Sequence, residues 1–255
     1  MMNQPDKLSH ARRVLAGAEK SGAAAGPGWT ASLSVPVIDD CLSMGGIIAP
    51  SFHEVHGGAG SDAENNSGNG TGNGAASGFA LWLAGLAMMR AAGPVFWIAA
   101  PHVHDSDSLY PPALDSRLQE TLIMVEARQR RDVLWAFEEI LASGQAACVI
   151  AETGQVDLTA ARRLQLASER GRSLAVALCR SGPSTKAGAA PGSSVARTRW
   201  RVGTCRDGWQ LELMGGRGVR PGEWKVRPKI DATAFSLHLV SASGDGSSSE
   251  HQHAA

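Results

Sequence analysis

Between Gly57 and Ser77 the sequence has no lysine and no arginine, in a stretch otherwise rich in glycine, asparagine, serine and alanine. Residues 52–56 read as a short strand and residues 78–90 (GFALWLAGLAMMR) as a buried helix, so the order is strand, glycine-rich loop, helix. That is the setting of a P-loop without its phosphate-gripping lysine. Net charge is also lacking: Lys+Arg and Asp+Glu both number 24, which excludes a global positive field for nucleic acid and an acidic solvating tail. Any charge-driven binding must be local. No CxxC pair occurs; the four cysteines, Cys41, Cys148, Cys179 and Cys205, stand singly, as expected of reduced thiols rather than disulfides or a zinc site. The longest apolar stretch, 78–89, falls short of the ~20 residues that span a bilayer. The first seven residues lack the basic-then-apolar order of a signal peptide. A soluble cytoplasmic protein is expected.

What is present is enough for a full core. At 255 residues and 43% hydrophobic content the chain predicts one domain with soft ends. Residues 1–44 read as an amphipathic N-terminal arm (Leu8, Val14, Leu15, Ala18) and a loose linker, 45–240 as the folded domain, and 241–255 as a disordered polar tail. Residues 94–99 and 121–125 are short apolar runs bounded by turn residues, the pattern of strands buried on both faces of a parallel sheet. Asp132 is a candidate cap for a helix with Leu134, Phe137, Ile140 and Leu141 on one face, ending near Gly144. Strand 147–151 follows, then a helix capped by Asp157 and closed by Gly171, then strand 174–178. This βαβ grammar predicts one parallel sheet covered by helices. After Arg180 it changes. Residues 181–194 read as a mobile loop, and strands at 198–202, 209–214, 224–227 and 235–240, joined by short turns, predict an antiparallel extension.

The order of these elements resembles a RecA-like core. Specific wording narrows the likeness: FHEVHG at 52–57, GFAL at 78–81, GPVFWI at 93–98, LYPP at 109–112, DVLWAFEE at 132–139, DLTAARRLQL at 157–166, TRWRV at 198–202 and PGEW at 221–224 resemble the ImuA family. The resemblance spans most of residues 45–240. It implies an α/β fold with a mostly parallel sheet flanked by helices and an antiparallel C-terminal extension. It also implies an accessory factor of error-prone translesion synthesis, part of the SOS response to DNA damage, with no cofactor and no membrane attachment. The implied partners are an ImuB-type polymerase-like protein and an error-prone DnaE-type polymerase, with RecA and single-stranded DNA as further candidates.

Catalytic residues of a RecA-type ATPase do not carry over. In place of Gly-Lys-Ser/Thr the sequence has Ala75, Ala76, Ser77, Gly78, and Pro101 falls where the catalytic glutamate would stand. The degenerate P-loop region therefore comprises Gly57, Gly58, Ser77 and Gly78, of which Ser77 retains a hydroxyl suited to magnesium. Free N–H groups at a helix start near Ser77 could still attract an anion. Glu152, at the end of a strand, is either an imitation of a Walker B carboxylate or a cap for the following loop.

Other candidates are weighed against plainer roles. His102, His104, Asp105 and Asp107 have metal-ligand chemistry, yet no zinc pattern supports them, and the loop at a strand's carboxyl end is the simpler reading. Tyr110, the one tyrosine, stands in a rigid turn as a contact residue. Arg162, Arg163, Arg170 and Arg172 read as a solvated helix face or a nucleic-acid or partner contact. The C-terminal strands offer a denser patch. Arg197, Arg199, Trp200, Arg201, Arg217, Arg220, Trp224 and Lys225, with Arg206, Arg227, Lys229 and Trp209 nearby, are candidates for DNA or partner contact. Core packing, protection of a sheet edge and protein docking compete with that reading. Function is expected to be that of a non-catalytic accessory factor; the rivals are a DNA-stimulated ATPase with an eroded P-loop and a SulA-like inhibitor of cell division.

Overall fold

The computed structural model describes residues 28–58, 71–100, 109, 114–179, 194–230 and 235–242. An N-terminal cap comes first. Strand β1 (Trp29–Ala31) pairs antiparallel with β2 (Ile47–Ala49), joined through the short helix α1 (Pro36–Asp39) and a 3₁₀ turn at Ser43–Gly45. The Asp39 carboxylate closes this cap, accepting from the Ser32 hydroxyl at 2.6 Å and the Leu33 N–H at 2.8 Å. Ala31, Leu33, Val35, Ile38 and Leu42 are buried in the main core, so residues assigned by sequence to the arm and linker pack with the domain.

The main sheet has nine strands in the order β11-β10-β9-β8-β3-β7-β6-β4-β5. Its parallel half consists of β3 (Ser51–Gly57), β4 (Val95–Ala99), β5 (Leu122–Glu126), β6 (Cys148–Glu152) and β7 (Leu174–Cys179). Strand β8 (Thr198–Cys205) joins parallel to β3, and β9 (Gly208–Gly216), β10 (Gly222–Ile230) and β11 (Phe235–Ala242) follow antiparallel. The α/β architecture is thus a mostly parallel sheet flanked by helices with an antiparallel C-terminal extension, as the RecA-like reading requires. Strand β11 runs two residues into the expected tail.

Alternate residues of β6 and β7 enter two different cores. Cys148, Ile150, Leu174, Val176 and Leu178 pack with helix α2 (Thr71–Met88), while Val149, Ala151, Ala175, Ala177 and Cys179 pack with α4 (Arg130–Ser143) and α5 (Leu158–Gly171). That double burial is why these strands are unbroken apolar runs in the sequence. A short helix, α3 (Ser116–Thr121), capped by Asp115, leads into β5 and has no counterpart in the sequence reading.

Two helix ends differ from expectation. Gln129, not Asp132, occupies the N-cap of α4, and Asp132 lies in its first turn, where its charge favours the helix dipole. Asp157 does cap α5, accepting from the Ala160 N–H at 2.8 Å. The left-handed residue that closes α5 is Arg172 (φ 58°), not Gly171. Gly171 is needed for another reason: a Cβ there would lie 1.6 Å from the Leu141 carbonyl oxygen, so its absence lets α5 meet α4.

Candidate functional site

The degenerate P-loop region is only partly what the sequence predicts. Gly57 pairs with Val202 across β3 and β8, and the Gly58 N–H donates to the Val202 carbonyl at 2.8 Å. Helix α2 begins at Thr71, so Ser77 and Gly78 lie within it rather than at a helix start. The backbone N–H of Ser77 belongs to the helix ladder, and the expected cluster of free amides around it is not formed there. The physical reason is burial: Ala75, Ala76, Phe79, Ala80 and Leu83 are all buried, and this overrides the poor helix propensity of the glycine-rich run before them. Gly78 faces Trp209, whose Cζ2 would lie 3.1 Å from an added Cβ. Residues 59–70 of the loop and Pro101 lie outside the described residues.

At the end of β6, Glu152 is buried and its Oε1 accepts a hydrogen bond from the Trp97 indole N–H at 2.8 Å. This carboxylate thus ties β6 to β4. Loop geometry after it is made by Thr153, whose N–H donates to the Leu178 carbonyl at 3.1 Å and whose hydroxyl donates to the Gly154 carbonyl at 2.9 Å.

A polar staple absent from the sequence reading joins the two halves of the sheet. His53 on β3 is fully buried, with Nδ1 2.7 Å from the Thr198 hydroxyl and Nε2 3.0 Å from the Ile48 carbonyl. The Thr198 oxygen also accepts from the Trp200 indole N–H at 2.8 Å. The Ile48 carbonyl can only accept, so Nε2 carries the ring proton, and in the neutral ring Nδ1 accepts from the Thr198 hydroxyl. Burial, above all, lowers its pKa from 6.5 to about 4, with the Arg197 charge adding to the effect and the Ile48 hydrogen bond opposing it.

The basic patch of the extension divides on inspection. Trp200 and Trp224 are core residues, 0% and 5% exposed, and neither ring is available for a base or partner. Trp209 packs edge-on against Phe79, ring centroids 5.9 Å apart. This corrects the expectation of tryptophans interleaved with accessible arginines. The signal was in the alternation: in TRWRV, Trp200 shares its face with Thr198 and Val202, and Trp224 shares its face with Val226. Arg199 and Arg201 point to the opposite face, where Arg199 is in register with Glu54 and Arg201 with His56. Glu54 is itself 3% exposed, accepting from the Ser194 hydroxyl at 2.6 Å and lying 3.4 Å from His56 Nε2.

Two cations there already have carboxylates: Arg201 binds Glu212, and Arg227 binds Asp207 at 2.7 Å. Lys225 lies opposite Gln210, whose amide donates to Glu223. On α5, Arg163 binds Glu138 of α4, Arg162 and Arg170 are exposed, and Arg172 closes the helix. Arg197, Arg217 and Arg220 gather at one end of the extension. The Arg217 N–H donates to the Arg197 carbonyl at 3.1 Å, and Arg220 donates from its backbone to Cys41 O at 2.8 Å and from its guanidinium to Asp40 O at 2.7 Å. Arg206 and Lys229 are exposed.

His102, His104, Asp105, Asp107 and Tyr110 lie outside the described residues. Among the described residues no three metal-ligand side chains cluster, and no helix is long and apolar enough to cross a membrane.

No family model matches the chain. Two proteins named "Protein ImuA", from Caulobacter vibrioides strains NA1000/CB15N and ATCC 19089, are each 33% identical to it over 209 residues, spanning 76% of this chain and 81% of theirs. Among solved structures, SulA from Pseudomonas aeruginosa aligns over 51% of this chain and 98% of that one, at 15% identity and a TM-score of 0.33.

Proposed function

The chain belongs to the ImuA family, and on that premise we propose that it is a non-catalytic RecA-like accessory factor of error-prone translesion DNA synthesis. It acts after DNA damage, with an ImuB-type polymerase-like protein and a DnaE-type polymerase. The observation that carries the reading is family membership over most of the domain, at 33% identity over 209 residues.

The non-catalytic part is supported by residue chemistry. Phosphoryl transfer needs positioned cations to neutralise charge developing on the phosphates. The segment from Gly57 to Ser77 has no lysine or arginine, and Ser77 stands inside α2. Glu152, the carboxylate at the end of β6, is engaged by Trp97.

The test is induced mutagenesis in a strain lacking the gene. After ultraviolet or mitomycin treatment, mutation frequency is expected to stay near the uninduced level and to be restored by the intact chain. Unchanged induction in the deletion strain would overturn the reading.

A further inference from the structure

Five arginines of the described residues form ion pairs with carboxylates: Arg117 with Asp115, Arg131 with Asp132, Arg163 with Glu138, Arg201 with Glu212 and Arg227 with Asp207. Among the arginines that form no such pair with a described carboxylate, which include Arg90, Arg128, Arg162, Arg170 and Arg206, three stand at one end of the sheet. Arg197 precedes β8, and Arg217 and Arg220 lie in the connection from β9 to β10; among the described residues none of the three has a carboxylate partner. The Arg197 Nε is buried and has no hydrogen-bond partner among them, a costly state for a charged donor. The Arg217 N–H donates to the Arg197 carbonyl, and Arg220 donates to the carbonyls of Asp40 and Cys41. Beside them stands the 3₁₀ turn Ser43–Gly45, since a Cβ at Gly218 would lie 3.6 Å from the Ser43 hydroxyl. Met44 of that turn is 76% exposed, the most exposed large apolar side chain described.

We propose that this end of the extension, Arg197, Arg217 and Arg220 with Met44 alongside, docks an acidic segment of a partner protein. Guanidinium groups without carboxylates recognise carboxylates by paired N–H donation, and an exposed methionine gives an adaptable apolar contact next to them. An acidic peptide fits better than single-stranded DNA for two reasons. Nucleic-acid grips combine phosphate contacts with stacking rings, and Trp200 and Trp224 are buried. The chain also has no basic surplus, its lysines and arginines equalling its acids, 24 against 24. The site rests on the accessory-factor reading only for the premise that a protein partner exists.

The experiment measures fluorescence anisotropy of the full chain with two labelled probes: a peptide of glutamates interspersed with leucine and glycine, and an oligothymidylate of equal net charge. The peptide is expected to bind, and Arg217→Glu with Arg220→Glu to weaken it by about tenfold, the equivalent of roughly 1.4 kcal/mol. Arg217→Glu alone, at an exposed side chain, is expected to weaken it less, and Arg162→Glu with Arg170→Glu on α5 not at all. Equal loss from the α5 variant, no loss from the double variant, or no peptide binding would overturn the proposal. Tighter binding of the oligothymidylate, lost in the double variant, would replace the peptide with nucleic acid. Because the readout is binding in solution, its failure is separate from a failure of the induced-mutagenesis test.

Discussion

In the parallel half of the sheet, every residue of β6 and β7 is buried, with α2 on one side and α4 and α5 on the other. In the antiparallel half, burial alternates: Thr198, Trp200 and Val202 of β8 face the α2 core, while Arg199 and Arg201 face away. Strands β6 and β7 have no face left to offer a partner. The antiparallel half has a polar face, but Arg201–Glu212 and Arg227–Asp207 neutralise much of it, so recognition falls to the strand ends. The halves are nevertheless one core, because Phe79 of α2 contacts both Trp200 and Trp209, and His53 of β3 bonds Thr198 of β8.

Removing the shared aromatic layer has the largest expected effect. Trp200→Ala should cost about 3–5 kcal/mol in urea denaturation, with a single transition in the wild type and in the variant. Two separated transitions would show that the halves fold independently. Next comes pH. His53 is neutral in the fold with a pKa of about 4 against 6.5 unfolded, so the unfolded chain takes up the proton first. Stability is fully present above about pH 6.5 and is lost as pH falls toward 4, by about 2 kcal/mol at pH 5. Urea midpoints at pH 7 and 5 read this directly; His53→Leu should flatten the slope, and an unchanged slope in that variant would remove His53 as its source.

Gly85 tests how closely α2 lies on the extension. A Cβ there would come 2.2 Å from Phe235 Cε1, so Gly85→Ala should destabilise by about 1–2 kcal/mol despite its better helix propensity. Adding Phe235→Leu should recover part of the loss. The smallest effect belongs to the outer face. Arg201→Ala removes a partly exposed pair with Glu212 and should cost less than about 1 kcal/mol.

The same contrast explains what the sequence made legible. Strands β4, β6 and β7 were readable because double burial makes them continuous apolar runs between helices with capping signals such as Asp157; β5, expected to be buried on both faces, is instead the edge strand of the sheet, and none of its residues is buried. The start of α2 was not, because residues 71–74 have the composition of a loop and become helical only through the apolar residues that follow. Which tryptophans are buried was readable from alternation along β8 and β10, but counting arginines and tryptophans together as one patch hid the two faces. The His53 staple left no local trace. Its partners Thr198 and Trp200 lie some 145 positions along the chain, and only the pairing of β3 with β8 brings them together.

We propose that the parallel half keeps the strand, glycine-rich loop and helix order of a P-loop without its phosphate grip, since residues 57–77 have no lysine or arginine. Titration of the full chain with a fluorescent ATP analogue and magnesium is then expected to give no saturable binding. Saturable binding competed by unlabelled ATP would show that the grip is retained.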